Sequence, residues 1–326
     1  LEDYKAPVFL RPRRFGKSLL VSTLACYYDR TKAHRFEELF GGTWIGNHPT
    51  KEHNSYMIIR YDFSKMVMAD TIEGLAQNFN DLNCGPVDVM VEHNRDLFGD
   101  FQFTTRGDAS KMLEEVLNYA RSHEFPKVYL LIDEYDNFTN VVLNEQGKEV
   151  YHALTHASGF YREIFKKFKG MFERIFMTGV SPVTLDDLTS GFNIGWNIST
   201  KHQFNMMLGF SETDVREMLQ YYKDARQLPG NVDISAMIEE MRPWYDNYCF
   251  AEESLERDPK MFNCDMVFYY LRHYMTLGKS PKEMIDPNTR TDYNKMKKLI
   301  RLDKLDGNRK GVLRKITEDG QIVTTL

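Results

Sequence analysis

The chain has 326 residues, 42% of them hydrophobic and 27% charged, with a formal net charge of −5. That length builds one large or two modest domains, and the mild acidity argues against a surface that coats nucleic acid, leaving room only for a local basic groove. No apolar run approaches the roughly 20 residues of a membrane span, and Cys26, Cys84, Cys249 and Cys264 are scattered with no C-x-x-C pair, which favours free thiols in a reducing cytosol over zinc or disulfides.

Ala6 to Leu10 is an apolar run that reads as the first strand, and Arg11-Pro12-Arg13-Arg14-Phe15 follows as a basic turn. Gly16-Lys17-Ser18 then opens a helix, predicted from Lys17 to about Tyr28 by the spacing of Leu19, Leu20, Thr23, Leu24 and Tyr27. Strand, loop and helix in this order build the phosphate loop G-x-x-x-x-G-K-[ST], where backbone N–H groups and the helix N-terminus wrap phosphate. Gly16, Lys17 and Ser18 fall in register, and Arg11 stands where the first glycine would be. The segment Arg13, Arg14, Phe15, Gly16, Lys17, Ser18 and Leu19 is therefore the expected nucleotide cradle. Arg11, Arg13, Arg14 and Lys17 supply the charge such a loop needs, whereas the competing reading, an exposed turn before an amphipathic helix, has no use for it.

His34 to Phe40 reads as a short helical piece ended by Gly41-Gly42, and Tyr56 to Phe63 as a second strand. Asp62 and Ser64 at its end either cap a turn, the preferred reading, or face the nucleotide. Asp70 to Leu82 reads as helix and Asn83 to Thr105 as irregular, because Gly85-Pro86 and Gly99 interrupt it. Asp108 caps a helix bearing Met112, Leu113, Val116, Leu117 and Ala120 on one face. Val128 to Ile132 is an apolar strand running into Asp133 and Glu134, which suits a strand buried on both faces with carboxylates at its tip. An aspartate there can hold Mg²⁺ beside the Ser18 hydroxyl, and Glu134 can polarise the attacking water. The alternative is a core strand that ends in solvated acids. Glu149 to Lys169 reads as one long helix with core aromatics, Arg174 to Gly179 as a buried strand, Leu185 to Ser190 as a short helix and Phe204 to Leu208 as the last strand.

The sequence from Ser211 onward reads as helical, with helices near Val215 to Tyr222, Ile234 to Tyr245 and Met266 to Tyr274 and no strand before the tail. Pro281 to Leu302 adds helix, and Gly307 to Leu326 suggests a hairpin around Asp319-Gly320. The predicted domains are 1–209, the nucleotide-binding core, and 210–326, a helical extension.

Arg11 to Leu19 resembles the signature of the AAA-ATPase-like family of bacterial P-loop proteins, and Leu131-Ile132-Asp133-Glu134-Tyr135-Asp136 is similar to its Walker B motif. Thr178-Gly179-Val180-Ser181, Gly209-Phe210-Ser211-Glu212, Trp244 to Tyr248 and Asp286-Pro287-Asn288 extend the resemblance along most of the chain. It implies an α/β fold: a P-loop NTPase three-layer α/β/α core with a mainly parallel sheet of AAA/STAND type, followed by a smaller all-α lid. It implies ATP and Mg²⁺ as cofactors and a slow, Mg²⁺-dependent ATPase. Lys17 and Glu134 would be catalytic, Ser18 and Asp133 would ligate the metal, and Thr178, or else Ser181, would be the γ-phosphate sensor. Arg216, Arg226 and Arg242 are candidates for a lid cation, and Trp244 to Tyr248 for packing or adenine stacking. AAA rings carry an arginine finger between the sensor strand and the last strand, yet no arginine lies between Arg174 and Arg216. That absence supports the alternative function, a nucleotide-gated switch with little hydrolysis that controls an attached effector or partner. Many family members end in a PD-(D/E)xK nuclease-like domain, and no such acidic-and-lysine constellation is visible here.

Overall fold

The computed structural model describes residues 1–155, 159–180, 195–257 and 260–287. Its described residues divide into two compact units. The first holds Leu1–Asp214 and Asp246–Asp265, and the second holds Val215–Tyr245 and the described residues from Met266 onward.

The first unit is built on a parallel five-stranded sheet of β1 (Pro7–Leu10), β2 (Met57–Asp62), β3 (Val128–Asp133), β4 (Arg174–Gly179) and β5 (Trp196–Asn197). The strand order is β2-β3-β4-β1-β5, so β4 is inserted between β1 and β3, the strand that ends in Asp133. Strand alternation sorts the side chains into two cores. Phe9, Tyr129, Leu131 and Phe176 pack with Val21, Leu24, Tyr27 and Tyr28 of α1 (Lys17–Tyr28) on one face. Val8, Ile59, Leu130, Ile132 and Met177 point the other way. There they meet α2 (Ile72–His93), α3 (Ala109–Ser122), α4 (Asn137–Glu145), α5 (Lys148–Thr155) and α6 (Phe160–Met171). Helices therefore cover both faces, and every residue of β3 is buried.

Several expectations are corrected. The segment from Asn83 is not irregular: α2 runs through Gly85-Pro86 to His93. Leu75, Phe79, Asn83, Val87, Met90 and Val91 form one buried stripe along it. This burial outweighs the roughly 3 kcal/mol that an interior proline costs. Phe204 to Leu208 is not the last strand. The sheet's edge is the two-residue β5, and His202–Phe204 is a single 3-10 turn. The single helix expected over Glu149 to Lys169 is α5 and α6, with residues 156–158 outside the described set. The helices expected at Leu185 to Ser190 and beyond residue 287, and the tail hairpin, also lie outside it.

The second unit's described secondary structure is helical. It comprises most of α7 (Glu212–Asp224), all of α8 (Ile234–Tyr245) and most of α9 (Cys264–Leu277). Between α8 and α9 the chain returns to the first unit as a strap, Asp246–Asp265, carrying two strands the sequence did not announce. β6 (Asp246–Tyr248) and β7 (Met261–Phe262) pair antiparallel, and Phe262 bridges to Phe210 through two backbone hydrogen bonds of 3.1 and 2.8 Å. Strands of two and three residues leave no periodic signal.

Candidate nucleotide site

The loop between β1 and α1 is shaped by two residues in the left-handed region, Arg14 at φ 69° and Gly16 at φ 88°. Gly16 is needed for that backbone angle, since an added Cβ there would meet nothing closer than Leu208 at 3.9 Å. It leaves α1 with no side-chain cap and no acidic residue in its first turn. The first N–H groups of a twelve-residue helix are thus free of competing side-chain acceptors, the arrangement that favours an anion.

Lys17 is nearly buried. Its Nζ lies 3.4 Å from Glu134 Oε1 and 3.3 Å from the Pro12 carbonyl. Ser18 is exposed, and the Asp133 carboxylate is buried at the tip of β3. Among the described residues Asp133 Oδ1 has no hydrogen-bond partner. Burial pushes the Asp133 carboxyl above the ordinary carboxylate range, Ser18 opposes the shift, and Asp62 adds to it. Burial likewise raises Glu134, with Lys17 opposing it. Glu134 sits in the left-handed region at φ 53°, which turns the chain sharply off the strand end.

The structure thus brings together Lys17, Ser18, Asp133 and Glu134 from two strands that are not neighbours. Other residues of the expected cradle take different parts. Arg13 and Arg14 are exposed, and Arg14 pairs with Asp265 at 2.5 Å. The Phe15 side chain is fully buried, edge-on to Tyr248 and Phe250 of the strap at 4.7 and 5.6 Å between ring centroids. Leu19 is exposed. Only the backbones of Phe15 and Leu19 are suited to phosphate. Arg11 is a correction, because it does not belong to the loop's positive face. Its buried guanidinium donates to the carbonyls of Leu10, Ser199, Phe204 and Asn205 and stacks against Phe9 and Phe250.

Thr178 lies on β4, and its hydroxyl donates to the Phe9 carbonyl at 2.8 Å, a bond inside the sheet. Ser181 lies outside the described residues. Asp62 accepts from the Ser64 backbone and hydroxyl, which is the turn-cap reading. Arg216 bonds Ser235, Arg242 pairs with Glu239, and Arg226 is exposed at φ 59°, all within the second unit.

The sequence reading gave no role to two further residues. Buried Asp136 accepts from Val180 N–H at 3.1 Å and from Asn140 at 2.9 Å, tying the ends of β3 and β4 together. A Cβ on Gly179 would come within 2.3 Å of its carboxylate, so glycine is required for that approach. Arg60 of β2 stands 3.9 Å from Asp133 Oδ2. Only the long-range pairing of β2 with β3 reveals it.

The raised carboxyl of Asp133 has a consequence for stability. A buried acid whose folded-state pKa exceeds its unfolded value destabilises the fold wherever it is ionised, and the cost shrinks as pH falls through the folded value. Asp133→Asn is expected to raise the metal-free melting temperature at pH 7 by on the order of 2 °C. The gain over the unaltered chain should narrow toward acid pH. Melts at pH 7 and pH 5 check both.

The profile of the AAA-ATPase-like family, described as predicted AAA-ATPase, matches residues 1–189. A curated relative, described as an uncharacterized protein in the vnfD 5′ region of Azotobacter chroococcum mcd 1, is 27% identical over 254 residues, or 75% of this chain. The chain spans 42% of that relative's length. No described helix is long and apolar enough to cross a membrane. The profile match covers more than half of the chain, and the chain belongs to the AAA-ATPase-like family.

Proposed function

We propose that this chain binds ATP with Mg²⁺ at the β1–α1 loop and hydrolyses it slowly. One observation carries the reading: Lys17 lies against Glu134 at 3.4 Å, beside the buried carboxylate of Asp133 and at the open start of an uncapped helix. The donor set fits magnesium. Ser18 Oγ and Asp133 offer hard oxygens, and among the described residues the buried Asp133 Oδ1 has no partner. Among the described residues no cluster of three or more acidic, histidine or cysteine ligands forms a full protein cage. That accords with an ion held by one or two protein groups plus phosphate and water. When bound, the ion supplies charge that offsets the triphosphate.

The chain's own groups do the rest. Backbone amides from Phe15 to Leu19 and the Lys17 ammonium bind the phosphates, and Glu134 accepts a proton from water. Arg13 and Arg14 supply exposed positive charge at the entrance. Thr178 is proposed as a positioning residue that fixes β4 against β1, and the helical second unit as the lid.

A second reading is favoured by the absence of arginine between Arg174 and Arg216: a nucleotide-gated switch that barely turns over and controls an effector or nuclease-like domain outside this chain. A cytoplasmic setting suits either reading. Titration of the purified chain with ATP and GTP, with and without Mg²⁺, tests the site. Lys17→Ala is expected to weaken ATP binding by at least about 100-fold, since it removes a nearly buried cation that meets charge directly. Unaltered affinity in that variant sinks the proposal. Tight binding with negligible turnover selects the switch.

A further inference from the structure

The ends of β2 and β3 concentrate negative charge. Asp62 and Asp133 are register partners, and Glu134 follows immediately. Among the described residues three cations reach this group: Lys65 pairs with Asp62 at 3.3 Å, and the Asp133–Glu134 pair has one cation for each carboxylate. Lys17 lies on Glu134, and Arg60 Nη2 stands 3.9 Å from Asp133 Oδ2. The other arm of Arg60 donates to Ser22 Oγ at 2.8 Å, one helical turn beyond Ser18 on α1. Arg60 precedes Asp62 by two positions in β2, so both project from the same face of the sheet. Its side chain is 37% exposed against 3% for Asp133, which places a solvent-accessible cation in front of a buried carboxylate.

We propose that Arg60 is a charge-matching residue of the nucleotide site. It compensates Asp133 when no metal is present, so that a triphosphate can approach a floor that would otherwise present uncompensated carboxylates. This rests on the reading of the site as one for Mg–ATP. The physical basis is that like charges a few ångströms apart in a partly buried site repel strongly, and one nearby cation removes much of that cost. With magnesium bound, Asp133 is matched by the metal and the contribution of Arg60 shrinks. The plain alternative is a tether: Arg60 ties β2 to α1 through Ser22 and has no electrostatic role at the site.

The test is ATP titration of the full chain by calorimetry, once in EDTA and once in saturating Mg²⁺. Arg60→Gln is expected to weaken binding about tenfold in EDTA and far less with Mg²⁺. Arg60→Lys, which keeps the charge, should recover most of the loss, and Ser22→Ala, which removes the tether, should cause little of it. Equal weakening in both conditions, no weakening in EDTA, or a wild-type chain that binds ATP only with Mg²⁺ overturns the proposal. Lys17→Ala runs alongside. If it binds ATP like the wild type, the site reading itself fails. If it loses ATP while Arg60→Gln shows no metal-dependent difference, the role given to Arg60 fails alone.

Discussion

Glu134→Gln is expected to keep ATP affinity within about threefold while phosphate release falls by roughly 10²–10⁴, the range general-base catalysis supplies. Glutamine preserves the size and the carbonyl oxygen near Lys17 and removes the proton acceptor. Burial holds the Glu134 carboxyl above its ordinary range, which makes it the stronger base, and Lys17 at 3.4 Å opposes that rise. The left-handed backbone at φ 53° costs on the order of 1 kcal/mol and is tolerated because Tyr135 N–H and Asp136 fasten the turn to the end of β4. Binding measured by calorimetry beside single-turnover phosphate release decides the matter. Equal rates in the two proteins would remove Glu134 as the base.

Arg11→Met is expected to cost about 3–5 kcal/mol of stability, with a fall in melting temperature on the order of 10 °C by circular dichroism. The guanidinium serves four carbonyls at 2.6 to 3.3 Å from β1, the stretch after β5 and the turn at Phe204 and Asn205. Among the described residues no carboxylate pairs with it, so backbone dipoles and two aromatic faces stabilise the buried charge. Methionine matches the length and leaves those acceptors without a donor. A single ammonium cannot copy the planar fork, so Arg11→Lys is expected to be destabilised as well. A melting temperature within 2 °C of the wild type for both variants would contradict this account.

Strands β1 to β4 and α1 were legible because their signals are local, whereas the two-residue β5 was not. A continuous apolar run marks β3, a breakless helical stripe marks α1, and the tripeptide Gly16-Lys17-Ser18 announces the turn between strand and helix. The paired carboxylates were legible for the same reason: apolar sequence stops abruptly at Asp133. What escaped depends on residues far apart in the chain. The stripe from Leu75 to Val91 passes through Pro86, and only its burial in the core shows that the helix continues. Arg11 looked like one of four loop cations because the carbonyls that hold it come from residues almost two hundred positions later. Arg60 carries no motif, and its place beside Asp133 follows from the β2–β3 register.

The strap Asp246–Asp265 has an implication for how the site is made. Phe15 packs on Tyr248 and Phe250, Asn205 accepts from the backbones of Phe250 and Ala251, and Arg14 pairs with Asp265. A ribosome delivers those supports only after α8 has been synthesised, long after the 1–189 segment that bears the family signature. A nascent chain halted at residue 209 would carry Lys17, Ser18, Asp133 and Glu134 and lack the buttress behind its β1–α1 loop, so that loop gains its full support only late in translation.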